Sequence, residues 1–110
     1  MKVVDLSDLA VSEQAAVFVG RDHGANVSFF VTNHASGKGP DAHRHPYEET
    51  FVIYDGSVVF TVDGKTLEAH AGQVLVVPAG AVHSFKAAGE GGSRQVNIHP
   101  VAEMVTEWID

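Results

Sequence analysis

The amino-acid sequence predicts an all-β domain, a sandwich or barrel of short strands followed by one short C-terminal helix. Short runs of alternating apolar and polar residues follow one another from residue 17 to residue 99, and turn-forming residues separate them. The dipeptide Asp63-Gly64 lies between two such runs and strongly favours a two-residue hairpin. After Pro100 the apolar period changes from that of a strand to that of a helix.

The strands are predicted one by one from these patterns. They cover residues 17–19, 26–33, 51–54, 58–62, 65–68, 74–77, 83–86 and 94–99. A turn at Asp55-Gly56 and a glycine-rich loop at 89–93 are predicted to separate strands. The run 74–77 is apolar throughout, which predicts a strand buried on both faces or packed against a partner chain.

The C-terminal segment carries an apolar stripe with helical spacing. Its members are Val101, Met104, Val105, Trp108 and Ile109. We expect this helix to seal one end of the barrel, and the alternative is that Trp108 contacts a second copy of the chain.

Composition limits the classes of function. A chain of 110 residues corresponds to one domain with its own core, here residues 1–110. Lys and Arg number 7 against 14 Asp and Glu, so the net charge of -7 argues against binding to nucleic acid or to anionic membranes. The absence of cysteine excludes disulfides and thiol catalysis. No apolar run has the length of a signal peptide or a membrane span, which predicts a cytoplasmic protein.

Histidines and a carboxylate recur with the parity of a strand. His43 and His45 are two residues apart and therefore point to the same face of a strand. Glu49 keeps their parity, whereas Glu48 does not. Two imidazoles and a carboxylate on one face are typical ligands of a divalent transition metal. His83, which follows a turn-forming segment, is a fourth candidate ligand.

These residues resemble the two motifs of the cupin superfamily, which are small β-barrels of the jelly-roll type. The first motif matches at residues 37–56, where its members are Gly37, His43, His45, Glu49 and Gly56. The second motif matches at residues 72–87, where its members are Gly72, Pro78, Gly80 and His83. Ala87 stands where this motif has Asn. The family's Asn is not a metal ligand, so the departure concerns local support only.

The resemblance implies that His43, His45, Glu49 and His83 bind one divalent transition metal per chain. Nitrogen and oxygen ligands of this kind suit Fe, Mn, Ni, Co or Zn, and affinity does not choose among them. The predicted function is a metal-dependent enzyme acting on a small organic substrate. The ligand set resembles that of flavonol- and diketone-cleaving cupins, which favours a dioxygenase over an isomerase, cyclase or lyase. The alternative is a binding or sensing module, for a sugar or another small ligand, in which the metal is structural.

Further residues are candidates for the substrate pocket. Tyr47, Phe51 and Ile53 share the parity of the first-motif ligands, and Phe85 shares that of His83. We expect Phe51, Ile53 and Phe85 to form an apolar wall, while Tyr47 belongs either to the pocket rim or to ordinary packing.

The last strand leaves two interpretations open. Gln95, Asn97 and His99 alternate with Arg94, Val96 and Ile98, and they face either outward, toward solvent or a partner surface, or inward toward the cavity. In the second case they line the substrate pocket, and His99 joins Glu49 as a candidate catalytic residue, acting as an acid or base without binding the metal. Homodimerisation is typical of single-domain cupins, and residues 74–77, the N-terminal strand and Trp108 offer apolar surface for it.

Overall fold

The computed structural model describes residues 1–110 and is built almost entirely of β-strands, which confirms the all-β prediction. The strands are β1 (Ala15–Phe18), β2 (Ser28–His34), β3 (His43–Arg44), β4 (Glu49–Val62), β5 (Lys65–His70), β6 (Gln73–Val77), β7 (His83–His99) and β8 (Glu107–Trp108). Two 3-10 turns, Leu6–Leu9 and Gly20–His23, are the only helical segments. No helix is long and apolar enough to cross a membrane.

Two long strands bend and thereby form both faces of a barrel. The first half of β4 and the second half of β7 lie between β2 and β6, and β1 extends this face beyond β2. The second half of β4 and the first half of β7 lie between β5 and β3, and β8 extends that face beyond β3. All neighbouring strands are antiparallel. The pairing is that of a curled sheet closed around one interior.

The bends lie at positions that the sequence assigns to turns. Asp55-Gly56 and residues 89–93 do not end strands, because β4 and β7 continue through them with shifts in register. Gly56 has a φ of 75°, and a side chain there would lie 1.9 Å from the carbonyl oxygen of Gly92. Glycine therefore allows the two strands to cross closely at the bend. The predicted hairpin at Asp63-Gly64 is confirmed, with φ values of 47° and 82°.

The apolar core fills one end of the barrel. Phe51, Phe60 and Phe85 pack with ring centroids 4.9 to 5.5 Å apart, two of the three pairs edge to face. Ile53 and Val58 are also buried in this cluster. Burying each large side chain stabilises the fold by roughly 1.5–3 kcal/mol. The other end of the interior is polar and holds the histidines.

The predicted C-terminal helix is wrong. Residues 101–103 form a bend, and β8 pairs with β3. Ile109 donates its N–H to the carbonyl of Ala42, while the backbone of Val105 is engaged by Tyr47. In a helix these backbone groups would hydrogen-bond within the helix and could not make these contacts. Val105 and Trp108 are exposed, so the apolar spacing does not form a buried stripe.

The segment 74–77 is buried on one face only. Val77 is buried and Leu75 half-buried, whereas Val74 and Val76 are 62% and 57% exposed. This strand lies at the edge of its face, because β6 pairs with β4 alone. Within the chain, burial on both faces is therefore wrong, and packing against a partner stays a prediction.

Candidate metal centre

Four side chains converge at the polar end of the barrel. His43 in β3 and His83 at the start of β7 face each other in the antiparallel register. His45 follows the end of β3, and Glu49 is the first residue of β4. All four are buried, and one potential ligand atom from each lies within 4.8 Å of the others. Glu48 is exposed, in agreement with the parity prediction. The cluster exists only when β3, β4 and β7 are assembled.

Backbone carbonyls fix the orientation of the three imidazoles. The Nδ1 atoms of His43, His45 and His83 lie 2.7, 2.7 and 2.8 Å from the carbonyl oxygens of Asp41, Val105 and Ala81. A carbonyl oxygen only accepts, so each neutral ring carries its proton on Nδ1. Each Nε2 is left with the lone pair that a metal requires. Histidine ligands in proteins are usually oriented in this way.

The atoms that face the middle of the cluster are all hydrogen-bond acceptors, with no donor between them. A bound cation would satisfy such a set of lone pairs. Oε1 of Glu49 lies 3.0 Å from Nε2 of His45 and 3.1 Å from Nε2 of His83. With the protons on Nδ1, these three atoms are all acceptors. Nε2 of His45 is buried and has no well-aligned hydrogen-bond partner. A divalent ion among these atoms would satisfy them together, and nitrogen with carboxylate oxygen suits a transition metal.

The protonation states of the side chains agree with this interpretation. Burial opposes ionisation of Glu49, but hydrogen bonds from the imidazoles of His45, His83 and His99 hold its pKa well below the usual range, so it is a carboxylate. His45 and His83 can donate to it only while a proton, in place of a cation, occupies their Nε2 atoms. Burial lowers the pKa of His43, which keeps that imidazole neutral. Burial also disfavours protonation of His45, but the Glu49 carboxylate outweighs this and raises its pKa. The site therefore attracts positive charge, either a proton or a metal ion.

His99 reaches the same carboxylate from the other side. It ends β7, is buried, and places Nε2 3.1 Å from Oε2 of Glu49. Its Nδ1 lies 2.7 Å from the hydroxyl of Tyr47. The interpretation that the polar side chains of the last strand face the interior is therefore correct, and Gln95 and Asn97 are buried with His99.

A cavity of about 710 Å³ runs from the cluster to the protein surface. Its apolar walls include Phe30, Phe85 and the exposed ring of Trp108. Lys38 and His34 lie on the same cavity. Burial and the nearby Lys86 lower the pKa of His34, so this imidazole is neutral. The ligand cluster is thus reachable from outside.

The predicted pocket residues divide into two groups. Phe85, Asn97 and His99 line the cavity. Phe51 and Ile53 do not, because they are packed in the apolar core behind the metal cluster. Tyr47 and Gln95 do not line it either, and instead hydrogen-bond residues that do, namely His99 and Asn97.

Several cavity residues carry no sequence signal of their own. Phe30, His34, Lys38 and Trp108 lie outside the positions fixed by the two motifs or on the misassigned C-terminal segment. The alternation of side chains in β2 places Phe30 and His34 on the same face of the strand, and this pattern in the sequence could have indicated that they lie together.

A comparison of the sequence with protein-family models finds a match to the Cupin domain over residues 29–99. The geometry of the site agrees with this match. The chain is 34% identical over 68 residues to "Polyketide synthase CurC" of Streptomyces cyaneus, a match that covers 60% of this chain and 44% of that protein. The chain thus spans less than half of this curated relative.

Solved structures share the fold at lower identity. Oxalate decarboxylase of Lactobacillus farciminis, in a formate complex, has a TM-score of 0.81 at 20% identity, over 94% of this chain and 34% of that one. An uncharacterized Klebsiella pneumoniae protein with a double-stranded beta-helix domain has a TM-score of 0.78 at 14% identity, over 97% of this chain and 90% of that one. With the family profile covering more than half of its length, and with its buried His-His-Glu-His cluster, the chain belongs to the cupin domain family.

Proposed function

We propose that the protein is a metal-dependent enzyme acting on a small, oxygen-bearing organic anion. The observation that supports this best is the cavity, which connects the buried ligand cluster to the surface. A purely structural metal site is normally closed by protein ligands, whereas a catalytic site keeps a path for substrate. The cavity therefore favours catalysis over the alternative of a structural metal in a binding module.

The metal would be held by His43, His45, Glu49 and His83. A bound divalent ion supplies Lewis acidity that stabilises negative charge on a substrate oxygen. The protein orients the three imidazoles through hydrogen bonds from Nδ1 to backbone carbonyls, which leaves each Nε2 for the metal. The rings of Phe30 and Phe85 make one side of the cavity apolar, and an apolar wall strengthens electrostatic interactions beside it.

Charge in the cavity supports an anionic substrate. Glu49 is the only carboxylate among the lining residues, and its charge would be offset by the metal. The Lys38 ammonium lines the cavity and forms no ion pair within the chain. Gln95 donates to the side-chain oxygen of Asn97 at 2.7 Å, which leaves the amide N–H groups as the donors that this cavity-lining residue can offer. These are donors suited to carboxylate, enolate or phenolate oxygens.

Two reactions are proposed for this substrate class. Oxygen-dependent cleavage by a dioxygenase is supported by the resemblance of the ligand set to flavonol- and diketone-cleaving cupins. Cyclisation or isomerisation without redox chemistry is supported by the name of the curated relative, a polyketide synthase, since polyketides are chains of enolisable carbonyls. Both reactions act on an enolisable carbonyl compound, and they differ in whether dioxygen is consumed.

The proposal is tested with protein loaded separately with Fe, Mn, Ni, Co or Zn. A panel of flavonols, β-diketones and linear polycarbonyl compounds is offered, while dioxygen uptake and product masses are recorded. We expect turnover with Glu48→Gln protein and none with Glu49→Gln protein, which should remain folded. Oxygen uptake would assign a dioxygenase, and isomeric or dehydrated products without uptake would assign the second reaction.

A structural metal would give a different result. In that case Glu49→Gln would lower the thermal midpoint of the metal-loaded protein strongly, and no compound of the panel would turn over with the unaltered chain. That combination would contradict the enzyme proposal and support the binding module.

We also propose that the partner of the chain is a second copy of itself. In register across four neighbouring strands, Val74, Val52, Val96 and Val31 stand side by side on the outer face of the barrel. This row is apolar, and its edge residue Val74 is 62% exposed. An apolar face of this kind can pack against the same face of a second copy, which is the arrangement of a twofold dimer.

A further inference from the structure

We propose that Tyr47 and His99 are positioning residues of the metal centre. Tyr47 fixes the tautomer of His99, and His99 holds Oε2 of Glu49 so that Oε1 alone faces the ligand imidazoles. The inference concerns metal binding and does not depend on the reaction that the protein catalyses.

The first step is the hydroxyl of Tyr47. The backbone N–H of Val105 donates to this oxygen at 3.2 Å, so the phenolic proton points elsewhere. The closest acceptor is Nδ1 of His99 at 2.7 Å, compared with 3.4 Å to the carbonyl oxygen of Val105.

The second step is the ring of His99. A carboxylate oxygen only accepts, so the proton of the His99 ring lies on the Nε2 that faces Glu49, and Nδ1 is the acceptor for the hydroxyl of Tyr47. This N–H donates to Oε2 of Glu49 at 3.1 Å. His99 thus has the opposite tautomer to the three ligand imidazoles, which carry their protons on Nδ1. With both nitrogens engaged, His99 has no lone pair for the metal and no free nitrogen for a substrate.

The third step is the carboxylate. Oε2 of Glu49 is occupied by the N–H of His99, whereas Oε1 faces the lone pairs of His45 and His83. The two oxygens are chemically distinct before any ion arrives. Removing His99 or its partner would allow the carboxylate to rotate, and the centre would lose its preorganised ligand oxygen.

The C-terminal residues support this arrangement from outside. We call residues 101–109 the C-terminal strap. Val105 in the strap donates its N–H to Tyr47 and accepts from Nδ1 of His45 through its carbonyl. Three contacts hold the strap along its length. The backbone N–H of Arg21 donates to the carbonyl of Ala102, the guanidinium of Arg44 pairs with the carboxylate of Glu107, and the N–H of Ile109 donates to the carbonyl of Ala42. One strap residue therefore serves both a ligand and a positioning residue.

The inference is tested on metal affinity, measured without substrate by chelator competition with Co(II) and Mn(II). His99→Leu removes the donor to Glu49, and we expect affinity to fall roughly 10- to 100-fold. Tyr47→Phe should cost about tenfold, at the lower end of the same range. His99→Gln keeps an N–H donor and should retain more affinity than His99→Leu. The Co(II) absorption spectrum should change in Tyr47→Phe, because the carboxylate is no longer held in one orientation.

Matched controls exist in the chain. Tyr54→Phe alters the other tyrosine, which is exposed, and His70→Leu alters an exposed histidine on β5. Both should bind metal like the unaltered protein, and the unfolding midpoints of all metal-free variants are measured beside the affinities.

Two results would overturn the proposal. One is a Tyr47→Phe protein with unaltered affinity and an unaltered Co(II) spectrum. The other is a loss of affinity that merely follows a loss of metal-free stability across the series. Should His99→Leu fail to fold, Tyr47→Phe and His99→Gln still decide the question. Absence of turnover in any variant would have no bearing on these measurements.

Discussion

At the scale of single residues, proton placement on the imidazoles organises the polar end of the barrel. Four buried histidines lie at this end of the barrel. The Nδ1 atoms of His43, His45 and His83 donate to backbone carbonyls, whereas Nδ1 of His99 pairs with the hydroxyl of Tyr47. The three rings with a bare Nε2 can bind a cation, whereas His99 presents an N–H. Histidines of one cluster can therefore act in two ways, as acceptors toward a cation and as a donor to the carboxylate of Glu49.

Lys38 is the residue whose charge is expected to select the substrate. We predict that Lys38→Met weakens binding of aromatic carboxylates to metal-loaded protein about tenfold, because a hydrogen bond to a charged group is lost. Binding of the corresponding methyl esters should be unaffected. Titration calorimetry with matched acid and ester pairs measures both.

The control for Lys38 is Lys65→Met, which removes an exposed lysine that begins β5 and forms no ion pair. It should bind acids and esters like the unaltered protein. Equal losses for acid and ester in Lys38→Met would show that Lys38 contributes packing and not charge, contrary to the prediction.

The residues of the buried cluster could be predicted from sequence, but the residues that support them could not. Strand parity separates Glu49 from Glu48, and two motifs with fixed spacing include all four residues of the buried cluster. The contact of Tyr47 with His99 joins residues 52 positions apart and depends on how the barrel closes. No local pattern encodes it.

At the scale of elements, long bent strands replace pairs of short ones. Alternation predicted the paired halves of β4 and β7 well, because each half has one buried face. Glycine in a sequence predicts a turn, although the same left-handed φ also occurs at a bulge within a continuous strand. The apolar spacing of the C-terminal strap predicts a helix, but its pairing with β3 decides its conformation.

Gly56 allows a direct test of the bend. We predict that Gly56→Ala is more destabilising than Gly72→Ala, with the free energy of unfolding measured in urea. Both glycines have positive φ, 75° and 90°, so both variants incur backbone strain of roughly 1–3 kcal/mol. Only at Gly56 would the new side chain also meet a backbone oxygen, at 1.9 Å, whereas Gly72 has open space.

The difference between the two variants isolates the close strand crossing. Failure of Gly56→Ala to fold beside a folded Gly72→Ala gives the same answer as a larger loss of stability. Equal losses would contradict it, since backbone conformation alone would then explain both glycines.

At the scale of the whole molecule, the barrel separates an apolar core from a polar, accessible end. The aromatic cluster of Phe51, Phe60 and Phe85 supplies rigidity behind the metal cluster. Glu49 and His83 lie on the first residues of β4 and β7, so the strands that build the core also hold ligands at their ends. A rigid support of this kind is what a precise metal geometry requires.

The remaining apolar surface predicts a homodimer through the outer face that carries Val74 and Val76. These side chains are 62% and 57% exposed, which in a monomer leaves an apolar sheet face in contact with water. We expect light scattering at micromolar concentration to give twice the chain mass of 11.7 kDa. Val74→Lys combined with Val76→Lys should give the monomer, because two charges would be buried without partners.

Leu67→Lys on β5, an equally exposed apolar position on the other face, should leave the mass unchanged. A monomeric unaltered chain would overturn the prediction, and so would dimers that survive the paired lysines but dissociate in Trp108→Lys.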